Sequence, residues 1–334
     1  MSSRTSAPAR GPVRTGSVTR DAGRRAPPVL SWEGRTDGDG RGGGRGVRVR
    51  RQIMVLPVTV GAARSPEGMT AADWAAREAV LRAAPLRFLR ARRRPGAGSH
   101  PPEPDHSWLS AKVSELSTRH PQLEIIVEEV ADDPAKALAA STEKSQLVVI
   151  GSRPAHAVTT RLTGSLALGL VAHARGPVVV VPEGSAHGAD TERPVVAGLD
   201  LRTVPDPVLA HALQAARREH HPLRAVHVWS LQGVYSYPSA LPNPKVGADA
   251  KSAASPALRA ALAAAGAGEA EVPVEGVLRS GAVGPQLLHS AAGAGLLVVG
   301  HRARRHLPLG SRIGPVTHAA LQHAVAPVAV VPCE

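Results

Sequence analysis

At 334 residues with 43% hydrophobic content the chain is long enough for two ordinary domains, and with aromatics at 2% their cores must be built from Ala, Val and Leu. No run reaches the ~18 apolar residues that mark a membrane span, and the amino terminus has no apolar h-region with a cleavage site, so neither a membrane protein nor a secretory leader is expected. The formal charge of +13 suggests nucleic acid only until it is located: residues 1–53 hold twelve Arg and no Lys against four carboxylates, net +8, leaving +5 for the other 281 residues.

Residues 1–53 are rich in Arg, Gly and Pro (RTDGDGRGGGRGVRVRR) and lack any periodicity, so this segment is expected to be disordered. A basic nucleic-acid tail would need interleaved aromatics for stacking, and only Trp32 is present. The other reading is a tail without a role, or a coding extension upstream of a start at Met54, and it is the one preferred here. Nucleic-acid association through the tail remains the weaker alternative function.

A strand is expected over 54–61 and a helix over 71–83, where Ala72, Ala75, Ala76 and Ala79 share one face and let the helix lie close on a sheet. After Pro85, LRFLRA predicts a second strand. A loop over 92–104 leads to a helix over 107–119 and a β-branched strand over 123–130. Asp133-Pro134 then opens a short helix with Pro in its first turn.

The stretch that follows occurs twice. Residues 146–182 (QLVVIGSRPAHAVTTRLTGSLALGLVAHARGPVVVVP) and 295–332 (GLLVVGHRARRHLPLGSRIGPVTHAALQHAVAPVAVVP) each carry four apolar residues ending at a glycine, Gly151 or Gly300. A polar loop follows, a glycine (Gly164 or Gly314) opens a helix, and a proline (Pro177 or Pro327) precedes a second apolar run. Strand, helix and strand in this order make a βαβ crossover, hence a parallel sheet. The earlier elements repeat too: Leu209, Ala212, Leu213 and Ala216 lie 137 residues after the four alanines, and Pro222-Leu223-Arg224 matches Pro85-Leu86-Arg87. The chain therefore divides into a first domain at 54–183, a linker at 184–193 and a second domain at 194–334, with about twelve extra residues near 231–246. In such sheets ligands bind where strand carboxyl ends meet helix amino ends.

These segments, with VTVGAARSPEGMTAADWAAREAVLRAAPLR and PVVAGLDLRTVPDPVLAHALQAARREHHPLRAVHVWS, resemble the universal stress protein family in tandem. The resemblance implies an α/β fold of two Rossmann-like (adenine nucleotide alpha hydrolase-like) domains, each a five-stranded parallel sheet with helices on both faces. It also implies pairing through final strands, which a tandem chain can satisfy internally as a pseudo-dimer, burying 178–181 against 328–331. A homodimer of the whole chain and unnamed protein partners stay open, and the expected location is the cytoplasm, consistent with a single cysteine, Cys333.

Family members that bind ATP carry an aspartate at the end of the first strand and a G-x2-G-x9-G-(S/T) loop around the phosphates. In the first half Gly151, Gly164 and Ser165 match, but Pro154 replaces the second glycine and Ala63 stands where the aspartate should be. In the second half Asp200, Gly300 and Gly314 match, but Ala303 replaces a glycine, the spacing is one residue longer and Pro315 takes the hydroxyl position. Proline supplies no N–H donor, so the loss is chemical as well as steric. Neither half holds a complete motif.

Arg302, with His301, Arg304, Arg305 and His306, forms a basic cluster able to hold an anion without glycines, though a solvated basic loop is the commoner explanation of such a cluster. The histidines 220, 221, 318 and 323 lack metal-ligand spacing, and no nucleophile has assignable partners, so no metal and no catalytic residue are expected. The expected function is a non-enzymatic stress-response binding or assembly module with degenerate adenine-nucleotide sites at Gly151, Gly164, Ser165, Asp200, Gly300, Arg302 and Gly314. The alternative is an ATP-binding switch or slow ATPase using the second domain, with Mg needed only if ATP binds.

Overall fold

The computed structural model describes residues 14–15, 55–92, 107–153, 165–185, 193–201, 206–229, 244–302 and 313–333. Apart from Arg14–Thr15 (β1), the expected disordered tail lies outside the described residues. The first half then runs β2 (Val58–Gly61), α1 (Pro66–Leu81), β3 (Leu86–Ala91), α2 (Ser107–Arg119), β4 (Ile125–Val130), α3 (Pro134–Ser141), β5 (Leu147–Ser152), α4 (Ser165–His173) and β6 (Val178–Pro182). The second runs β7 (Val195–Leu199), α5 (Asp206–Glu219), β8 (Leu223–Trp229), α6 (Pro244–Ala264), β9 (Val274–Ser280), α7 (Val283–Ser290), β10 (Leu296–Arg302), α8 (Pro315–His323) and β11 (Val328–Cys333).

One of the helix boundaries differs from the expectation. Helix α1 starts at Pro66, not near residue 71, because Ser65 caps it by accepting a hydrogen bond from the Gly68 N–H at 3.3 Å and Pro66 occupies the first turn. Its alanine face behaves as expected: Ala71, Ala72, Ala75, Ala76 and Ala79 are buried against the sheet. Asp133 caps α3 through the N–H groups of Ala135 and Lys136.

All strands belong to one sheet in the order β1-β4-β3-β2-β5-β6-β11-β10-β7-β8-β9. Every neighbouring pair is parallel except β6 with β11, where Val178, Val179 and Val180 face Val330, Ala329 and Val328 in antiparallel register. The expected internal pairing of the two final strands is therefore present, and each half contributes a five-stranded Rossmann-like sheet. The two hydrophobic cores run across both halves: one lies under α1, α2, α5 and α6, the other under α3, α4, α7 and α8. Pairing the final strands removes two apolar edges from water and makes both cores continuous.

In each half the chain leaves the first strand outward in one direction and returns on its other side. The reversals fall between β2 and β5 and between β7 and β10, and the crevices at their carboxyl ends are where a ligand fits such a sheet.

Candidate nucleotide crevices

At the first crevice the start of α1 presses on the end of β5. A Cβ built on Gly151, at the end of β5, would come within 2.2 Å of the Glu67 carbonyl oxygen. Glycine is thus required for α1 to begin so close to β5, whether or not a nucleotide is bound. From the same turn of α1, Glu67 Oε1 accepts a hydrogen bond at 3.0 Å from Arg153 Nε, just beyond β5. Burial alone would raise the Glu67 pKa, but a backbone hydrogen bond, Arg153 and Ser65 outweigh it and hold the carboxyl below its usual range. Ala63, in the expected aspartate position, is exposed and brings no charge. Gly164 lies outside the described residues, and Ser165 is the first residue of α4.

The second crevice is spanned by side chains. Asp200 follows the last residue of β7, Arg302 ends β10, and Asp200 Oδ2 lies 3.7 Å from Arg302 Nη2 across the reversal, with the two side chains 43% and 53% exposed. Here the structure brings together two residues singled out from the sequence. On the neighbouring strand β8, His227 Nδ1 lies 2.9 Å from the Leu199 carbonyl oxygen, fixing the ring beside the strand end that carries Asp200. Among the described residues, a Cβ added at Gly300 would meet Cys333 Sγ at 3.0 Å and Val208 Cγ2 at 3.1 Å. The Thr317 hydroxyl donates to the Gly300 carbonyl at 2.9 Å, docking the first turn of α8 onto β10. Gly314 sits just before α8 in extended backbone and offers no side-chain cap, and Pro315 follows at the first turn.

The basic cluster separates. His301 belongs to β10, is only 3% exposed, and burial pushes its pKa down, so at neutral pH it is an uncharged core side chain. The strand extends past Gly300 because β11 continues opposite it, with His301 against Pro332 and Arg302 against Cys333. Arg304, Arg305 and His306 lie outside the described residues. Glu67 and Arg153 were not paired by sequence reasoning, although the acidic residue in the first turn after Ser65-Pro66 was a usable signal.

The universal stress protein family matches residues 54–182 and 192–332, two copies covering most of the chain. A universal stress protein of Mycobacterium tuberculosis is 28% identical over 307 residues, 82% of this chain and 94% of the relative. A second one from that organism is 30% identical over 293 residues, 82% of this chain and 96% of the relative. Among solved structures, a universal stress protein from Archaeoglobus fulgidus aligns over 82% of this chain and 98% of its own, with a TM-score of 0.57 at 16% identity, a likeness of fold. Two matched segments, a β6–β11 seam and two reversal-point crevices agree: the chain belongs to the universal stress protein family, as two domains in tandem.

Proposed function

We propose that this chain is a non-enzymatic stress-response binding module whose second half retains a weak adenine-nucleotide site while its first half serves as scaffold. The observation that carries this reading is the Asp200–Arg302 pair, which spans the second crevice with both side chains about half exposed. Asp200 offers an acceptor for the base or sugar, and Arg302 a cation for the phosphates. The helix start at α8 lacks both a hydroxyl and one N–H, so the affinity is weaker than a complete glycine loop would give. In the first half the start of α1 presses on Gly151 and Ala63 supplies no acceptor. Mg belongs to this reading only as the counterion of bound ATP, and the cytoplasm is the proposed location. Among the described residues no helix is long and apolar enough to cross a membrane.

Calorimetric titration of MgATP into the full chain tests the proposal. The expected result is one weak site per chain, lost in Asp200→Ala and unchanged in Arg153→Ala. Binding that survives Asp200→Ala but disappears in Arg153→Ala would move the site to the first half and overturn the assignment. Turnover of ATP that tracks Asp200 would convert the binding module into the slow ATPase.

A further inference from the structure

The basic tail contributes one described element, and it lies at an outer edge of the sheet. Arg14–Thr15 (β1) pairs in parallel with β4, Arg14 opposite Ile126 and Thr15 opposite Val127. At the other edge β9 pairs with β8 and, among the described residues, with nothing beyond it. Residues 16–57 join β1 to β2, more than the dozen or so that a parallel connection needs, so the tail reaches this edge within its own chain. Val13 and Thr15 are β-branched and suit a strand, while Pro12, without an N–H for the ladder, and Gly16 keep it short.

The duplication offers two equivalent edges, and their sequences differ in charge. Ile125 of β4 stands opposite Leu86 as Val274 of β9 stands opposite Leu223, so the two strands hold the same place in the two halves. Residues 124–133 carry Glu124, Glu128, Glu129, Asp132 and Asp133 and no basic residue, net −5. The equivalent residues 273–282 carry Glu275 and Arg279, net zero. On β4, Arg87 and Arg90 of β3 meet Glu128 and Glu129 at 3.2 Å each and Asp133 caps α3, while Glu124 and Asp132 sit exposed at the two ends of the strand. The tail brings twelve Arg against four carboxylates in residues 1–53, so opposite charge favours the β4 edge over the β9 edge.

We propose that the outer edge of β4 is a strand-docking site whose occupant is the chain's own segment around Arg14–Thr15, which makes residues 1–53 a tethered cap of that edge and not a tail without a role. The backbone pairing carries the assignment, and charge selects the edge. An open edge presents a row of N–H and C=O groups to any extended chain, and the resident strand takes the place such a chain would occupy. The tether raises the local concentration of the segment, so a strand too short to bind as a free peptide can hold the edge.

Residue-resolved amide hydrogen exchange of the full chain tests the proposal. Successive N–H groups of a strand point to opposite sides, so alternate amides of Ile125–Val130 face β3 and the others face β1. For the same reason the double variant Arg14→Pro/Thr15→Pro removes whichever N–H faces β4. The outward amides of β4 should then exchange about tenfold faster or more, while its inward amides and those of β9 keep their rates. Glu124→Lys/Asp132→Lys, which leaves the pairs with Arg87 and Arg90 in place, should speed the same outward amides several-fold, as should high salt. Equal exchange in the full chain and the double-proline variant would overturn the docking, and outward amides indifferent to both the charge variant and salt would overturn the selection by charge. Protection that grows with protein concentration would assign the strand to a second copy and overturn the intramolecular occupant.

Discussion

The two crevices descend from one repeated sequence and have been closed in different ways. Each carries an arginine two residues after the strand glycine, Arg153 and Arg302, and each arginine meets a carboxylate across the reversal. In the first half that carboxylate, Glu67, belongs to a helix start whose backbone presses on Gly151. In the second it is Asp200, at a strand end, and among the described residues the groups nearest Gly300 are side chains. The Asp200–Arg302 pair is a contact between side chains, which a ligand can displace.

The largest expected effect breaks the buried ion pair of Arg82 with Glu78. Arg82→Met leaves Glu78 buried without its close partner and should cost about 3–5 kcal/mol in denaturant unfolding. The same region should respond to pH through His211, whose pKa burial, Arg82 and Arg218 push down to about 3 from 6.5. A histidine kept neutral in the folded state stabilises fully above its unfolded pKa, so stability should fall as pH drops from 6.5 toward 3, and His211→Phe should flatten that slope.

Next comes the contrast between the glycines. Gly151→Ala drives a methyl into backbone and should destabilise by about 1–3 kcal/mol, whereas Gly300→Ala meets, among the described residues, side chains that can turn aside and should cost less. Equal losses of Tm in the two variants would break the comparison. Asp200→Ala should lower MgATP affinity about tenfold, as expected for a lost hydrogen bond to a charged acceptor and enough to take a weak site below detection, with little change in Tm. The smallest effects belong to Arg153→Ala and Arg302→Ala, whose exposed ion pairs should each contribute under about 1 kcal/mol to stability.

Much of this fold was legible because it rests on local patterns. Apolar runs leading to Gly151 and Gly300 marked two strands, the alanine face announced a helix lying close on a sheet, and Asp133-Pro134 marked a cap. The start of α1 was missed because Ser65 and Pro66 act before the alanine periodicity begins. His301 was grouped with loop residues because the extent of β10 depends on β11 opposite it, which the residue's neighbours in sequence do not reveal. Asp200 and Arg302 were each visible, but their meeting needed the sheet order. The contact of Arg77 with Glu219 between the halves had no local signal: the two are 142 residues apart, and each reads alone as an ordinary surface charge.

The antiparallel junction of β6 and β11 has a further consequence. In a two-fold homodimer every substitution at the shared interface appears twice, and each protomer can exchange its partner for another copy. With both strands in one polypeptide the junction is unimolecular, does not dissociate on dilution, and admits a change on one side only. Trp74 could therefore arise without a second tryptophan where His211 stands, and one molecule can hold two unlike halves in a fixed one-to-one ratio.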